Sequence, residues 1–116
     1  MRVTIHGIKN CDTMKKARAW LDAEGVTHDF HDYKTVGITP VTLQAWVRKA
    51  GWEALLNRAG TTFRKLAEDQ KQGLDEARAV ALMLANPSMI KRPVLTKGDT
   101  LLIGFDPARY AALLKT

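Results

Sequence analysis

The sequence predicts an α/β fold: a four-stranded mixed sheet made from a β-α-β half and a β-β-α half, with a helical segment between them. Three observations point to it. The chain opens with a strand, a helix and a second strand at the connection length of a parallel crossover. It closes with a hairpin and a capped helix. The stretch between shows helical rather than alternating apolar spacing. At 116 residues the chain is read as one domain spanning 1–116, with the helical insertion at about 35–92.

Each element has its own signal. Residues 2–6 (RVTIH) place Val3 and Ile5 on one face, a short strand by alternation. Met14, Ala17 and Leu21 then recur at helical spacing beside Trp20, with Gly25 as the expected stop. Residues 27–33 (THDFHDY) read as a strand poor in aliphatics and so near a sheet edge.

In the middle, Thr39-Pro40 reads as an N-cap with proline at the first helical position. Leu43, Trp46, Val47 and Ala50 form its apolar stripe, ended by Gly51. A short helical piece over 52–56 and a loop-like NRAGTTFRKL follow. Residues 74–85 read as a helix with Asp75 and Glu76 in its first turn, where they suit the helix dipole. Its expected inward residues are Leu74, Ala77, Val80, Ala81 and Leu84. Strands at 93–96 and 100–103 flank a Lys97-Gly98-Asp99 turn, and Asp106-Pro107 opens a last helix carrying Tyr110, Leu113 and Leu114.

Composition narrows the function classes. No apolar run approaches the roughly 20 residues of a membrane span, and the opening MRVTIHG leaves no room for a signal peptide. A cytoplasmic location without membrane partners is the expectation. The net charge of +6 suggests an anionic partner, yet the basic residues come only in pairs spread along the chain. No direct nucleic-acid binding is expected. His28, Asp29, His31 and Asp32 do not suggest a metal site, because His28 and His31 on a strand face opposite sides. Trp20, Trp46 and Trp52 read as packing residues. His6 alternates away from Val3 and Ile5 and reads as a structural histidine.

Cys11 is the one cysteine of the chain, so no internal disulfide forms and no Cys-x-x-Cys site exists. It is either a buried filler or a reactive thiol. Its place at the start of the first helix favours the second reading, because the N–H groups of Asp12, Thr13 and Met14 and the helix dipole favour thiolate. Lys9, Lys15 and Lys16 push the same way and Asp12 opposes them. A dithiol reductase would carry a second cysteine where Met14 stands. The implied mechanism is therefore monothiol, with an external thiol resolving the mixed disulfide.

The run TIHGIKNCDTMKKARAWLDAEGV, with NPSMIKRPVL and IGFDPARYAALL further on, resembles the arsenate reductase (ArsC)/Spx family over essentially the whole chain. Within it the chain is most similar to the short YffB-type members, described as glutathione-dependent thiol reductases. The resemblance implies a thioredoxin-like fold with a helical insertion. It implies Cys11 as the catalytic nucleophile, Arg92 as an arginine reaching the active site, and Pro93 as a cis-proline facing the cysteine. Arg58 matches the insertion arginine, and Lys9, Asn10, Asp12 and Thr13 flank the cysteine where substrate would bind. Guanidinium groups hold carboxylates with paired hydrogen bonds, which suits glutathione.

The departures bear on substrate. Arsenate reductases of the family carry a histidine where this chain has Gly7 and a third arginine where it reads Gly104-Phe105. Their first arginine falls near Asn57 rather than at Arg58. The expected activity is thus reduction of a thiol-derived disulfide by a monomer, with glutathione as co-substrate, glutaredoxin as a further partner and no bound cofactor. Arsenate reduction ranks below it. The alternative is an Spx-like regulator that binds RNA polymerase without catalysis, although the Cys-x-x-Cys switch and basic tail of Spx are missing here.

Overall fold

The computed structural model describes residues 2–115, which form two compact units, one ending at Asp32 and resuming at Arg92, the other spanning Tyr33–Lys91. The first unit holds the sheet. Strand β1 (Val3–Gly7) lies between β2 (Asp29–Asp32), which is parallel to it, and β3 (Val94–Lys97), which is antiparallel. Strand β4 (Thr100–Ile103) completes the order β2-β1-β3-β4 by a hairpin with β3. The parallel crossover and the edge position of β2 match the sequence reading. Tyr33 differs: it starts a helical turn instead of extending the strand.

Helix α1 (Asp12–Ala23) makes the crossover and buries Met14, Ala17 and Leu21, one face at i, i+3 and i+7 spacing. Gly25, with φ of 70°, closes it in the left-handed conformation that glycine adopts at least cost. There the N–H of Val26 donates to Leu21 (2.9 Å) and that of Gly25 to Asp22 (3.1 Å), satisfying carbonyls the helix end leaves open. The buried face meets Val3, Ile5, Leu95 and Tyr110 to form the core of this unit. Each large side chain there contributes roughly 1.5–3 kcal/mol through burial. Tyr110 comes from α2 (Pro107–Leu114 at the chain's end, counted within this unit), where Asp106 Oδ1 accepts the Ala108 N–H at 3.0 Å. Its hydroxyl donates to the Gly104 carbonyl at 3.3 Å.

The second unit is helical. A turn at Tyr33–Val36 leads to a helix over Pro40–Ala50, capped by Thr39 Oγ1, which accepts from Thr42 N–H at 3.2 Å. Short helical turns follow at Trp52–Leu55, Thr61–Arg64 and Glu68–Lys71. The second of these falls in the stretch expected to be a loop. A helix over Glu76–Ala85 comes next, and a 3₁₀ turn at Pro87–Met89 closes the unit.

Two expectations about the 76–85 helix are corrected. Asp75 is its N-cap, accepting from Arg78 N–H at 2.9 Å, and so stands before the first turn. Its buried residues are Ala79 and Met83, while Ala77 and Ala81 are exposed. The run AVALMLA is apolar on nearly every side, so its composition marks a helix without marking which face turns inward. The insertion boundaries also shift: the helical unit begins at Tyr33, two residues earlier than expected, and ends at Lys91, so that Arg92 belongs with the sheet.

Candidate active site

Strand β1 ends at Gly7, and four residues later Cys11 occupies the N-cap of α1 with extended backbone (φ −96°, ψ 130°). Its N–H reaches back to Ile8 O at 3.4 Å and its carbonyl accepts from Lys15 N–H at 3.0 Å. An N-cap side chain stands over the free amides of the first turn. Here that side chain ends in sulfur.

Cys11 is half-buried. Burial alone pushes its thiol pKa up. Opposing this are the Met14 N–H, a hydrogen bond from the Arg92 side chain, the Thr13 N–H and the Arg92 charge, and together they hold the thiol below its ordinary pKa. Arg92 is half-buried beside buried Pro93, and the bond between them is cis. Pro93 is held at the start of β3 by its carbonyl, which accepts from Gly104 N–H at 2.8 Å.

The sequence-derived residues therefore divide. Cys11, Thr13 and Arg92 come together around the sulfur, with Pro93 next in the chain. Lys9, Asn10 and Asp12 are exposed on the segment that carries Cys11. Lys15 and Lys16 are exposed as well, and the cation that acts on the sulfur is Arg92. The expectation that these lysines favour the thiolate is thereby corrected: their long side chains extend into solvent, where their charge is screened. Of the first-turn amides, those of Met14 and Thr13 act on the sulfur.

Arg58 belongs to the helical unit. Its guanidinium lies over the Trp52 ring, 5.4 Å from the centroid, and it follows Asn57, whose Oδ1 accepts from Ala59 N–H at 3.2 Å. With Glu53, Leu56 and Lys91 it lines an open cavity of about 400 Å³ within that unit.

His6 is buried and donates its Nδ1–H to Val94 O at 2.9 Å, so the structural reading of this histidine holds. Desolvation lowers its pKa to about 4, against the Val94 hydrogen bond, with the nearby His31 charge adding to the lowering. The two imidazole rings stand 5.1 Å apart. Among the described residues no group of three or more His, Cys, Asp or Glu side chains gathers for a metal, and no helix is long and apolar enough to cross a membrane.

One relationship was not read from the sequence. A Cβ placed on Gly7 would lie 2.3 Å from the Met14 sulfur. Met14 thus fills the room that a side chain at position 7 would need. The available signal was Gly7 alternating onto the face of Val3 and Ile5, opposite the apolar stripe that Met14 begins.

Comparison with known proteins agrees with this geometry. A family model described as the ArsC family matches residues 6–113. An uncharacterized protein of Haemophilus influenzae is 40% identical over 110 residues, covering 95% of this chain and 96% of its own. The solved structure of a YffB protein is 62% identical, with a TM-score of 0.94 over 97% of this chain and 98% of that one. The global transcriptional regulator Spx of Streptococcus agalactiae serotype V is 27% identical over 114 residues, covering 97% of this chain and 82% of the regulator.

Proposed function

This chain belongs to the ArsC family, and from that premise we propose that it is a monothiol reductase that uses glutathione to reduce glutathione-containing mixed disulfides. The family and its thioredoxin-like fold carry thiol-based redox chemistry in general. The observation that supports the finer reading is the single Cys11 at a helix N-cap with Arg92 hydrogen-bonded to its sulfur.

In the proposed reaction the Cys11 thiolate attacks the glutathione sulfur of a mixed disulfide. A Cys11–glutathione disulfide forms, and the substrate sulfur leaves as thiolate and takes a proton from solvent. A second glutathione, as thiolate, attacks the bonded glutathione sulfur. Oxidised glutathione departs and the Cys11 thiolate returns. The balance is a disulfide exchange: the mixed disulfide and one glutathione thiol become a free substrate thiol and oxidised glutathione, the incoming glutathione sulfur taking the place in the disulfide that the substrate sulfur leaves. A glutaredoxin could deliver the second thiol in place of free glutathione.

Within the sheet unit, the Met14 and Thr13 amides and Arg92 hold negative charge on Cys11 both before attack and when it leaves. Lys9, Asn10, Asp12 and Thr13 are proposed to meet the substrate beside the sulfur, with Pro93 opposite. Arg58 is proposed to bind a glutathione carboxylate. Two features weigh against the other family activities. With one cysteine the chain closes no internal disulfide of the kind a redox-switched regulator needs. Met14 also takes the room that a histidine at position 7 would require.

The test is glutathione-dependent reduction of a glutathionylated peptide, with the Cys11–glutathione disulfide trapped at low glutathione and weighed by mass spectrometry. Turnover and the trapped adduct are expected with the natural chain and lost in Cys11→Ser. Equal turnover by Cys11→Ser would sink the reading. So would a natural chain that forms no adduct but captures RNA polymerase, which would favour the regulator.

A further inference from the structure

We infer that Met14 is a positioning residue for the reacting thiol: its side chain, wedged into the space left by Gly7, fixes the first turn of α1 beneath Cys11. The inference rests on the reading of Cys11 as the reacting group.

Gly7 is not a glycine for reasons of conformation. It lies in β1, and it is absent from the positions with positive φ, where Gly25, Gly37 and Gly51 are found. What it supplies is room. A Cβ there would lie 2.3 Å from the Met14 sulfur, 2.8 Å from its methyl and 3.1 Å from its Cγ. Nor can the strand retreat easily, since Gly7 pairs with Asp32 of β2 in the parallel register.

Methionine is the most adaptable of the large apolar side chains and would ordinarily swing aside. Met14 has little room to do so. It is fully buried, in a core shared with Val3, Ile5, Ala17, Leu21 and Leu95. In a close-packed interior, strain that a side chain cannot absorb passes to its backbone. The backbone concerned is the third residue of the helix, whose N–H favours the thiolate at Cys11. Wedge and donor are parts of one residue, so displacing the side chain displaces the amide.

The experiment follows iodoacetamide alkylation of Cys11 across pH in the natural chain, Gly7→Ala and the Gly7→Ala/Met14→Ala double variant. Gly7→Ala is expected to slow alkylation at neutral pH by about threefold or more, since misaligning one hydrogen bond is worth that much. The double variant is expected to recover most of the rate, because the new methyl then occupies room that Met14 has vacated. A folded Gly7→Ala with the natural profile overturns the inference, as does a double variant that stays slow. If Gly7→Ala does not fold, Met14→Ala is compared with Met14→Leu. The alanine is expected to slow alkylation and the leucine to keep the rate, and natural profiles in both overturn the inference. The natural chain's own profile tests Cys11 separately: a midpoint in the ordinary thiol range counts against the proposed function, whereas differences among the variants bear on Met14.

Discussion

The Arg92 side chain donates a hydrogen bond to the Cys11 sulfur, joining the residue that caps the first helix to the residue at which the chain re-enters the sheet unit. This cation is fixed by the backbone on its C-terminal side, where buried Pro93 leads directly into β3. Removing it leaves burial, which raises the thiol pKa, opposed only by the two amides. Arg92→Ala is therefore expected to raise the pKa and slow alkylation at neutral pH by roughly fivefold or more. Arg92→Lys should fall between the two, because a flexible ammonium keeps the charge without the planar fork. Stopped-flow alkylation across pH measures both. An unchanged profile in Arg92→Ala would remove Arg92 from the site.

Arg58 is held differently, by stacking over Trp52, which limits the freedom it must lose on binding an anion. If it takes a glutathione carboxylate, Arg58→Ala should raise the KM for glutathione about five- to tenfold. Initial rates at varied glutathione measure this. A KM that stays put while Cys11→Ser abolishes turnover would leave Arg58 with a surface role alone.

Much of the sheet unit was legible because its signals are local. Val3 and Ile5 alternate, Met14, Ala17 and Leu21 repeat at helical spacing, and Asp106-Pro107 announces a cap. Each feature needs only a few neighbouring residues to be read, and each is found in the structure. The place of Cys11 at the helix start was legible on the same grounds. Its cation was legible only through the family resemblance, which pointed to Arg92. Proximity along the chain offered Lys9, Lys15 and Lys16 instead, and only the β1–β3 pairing makes Arg92 a neighbour. The Gly7–Met14 fit was hidden for a related reason. A glycine records that room is needed and leaves open what fills it.

His6 sets how stability depends on pH. Desolvation lowers its pKa in the fold to about 4, against about 6.5 in an unfolded chain. Between those values the unfolded chain binds a proton that the folded one refuses, so stability rises with pH there. The contribution is complete above about pH 6.5 and is lost as pH falls from 6.5 toward 4, with an upper bound of about 3 kcal/mol. Urea unfolding measured at intervals from pH 4 to 8 should show this slope. His6→Gln should flatten it, at some cost from the Val94 hydrogen bond. A slope of the same size in His6→Gln would assign it to other groups.

The helix over Glu76–Ala85 supplies the sharpest test of which way an almost wholly apolar segment faces. Sequence periodicity pointed to Leu74, Ala77, Val80, Ala81 and Leu84, whereas the structure buries Ala79 and Met83 completely. The two phases predict opposite mutational patterns. Met83 fills space within its unit, where the helix packs against the one over Pro40–Ala50 and the short turn at Trp52–Leu55. Met83→Ala removes buried methylene and thioether groups and leaves a cavity, so it should cost about 2–5 kcal/mol. Ala81→Ser, on the exposed side, should stay within about 0.5 kcal/mol. Ala79→Leu adds volume to a filled position and should cost about 1–3 kcal/mol through overpacking. Chemical denaturation of the three variants, followed by circular dichroism, separates the phases. A large loss at Ala81 with a small one at Met83 would turn the helix back to the face its periodicity suggested.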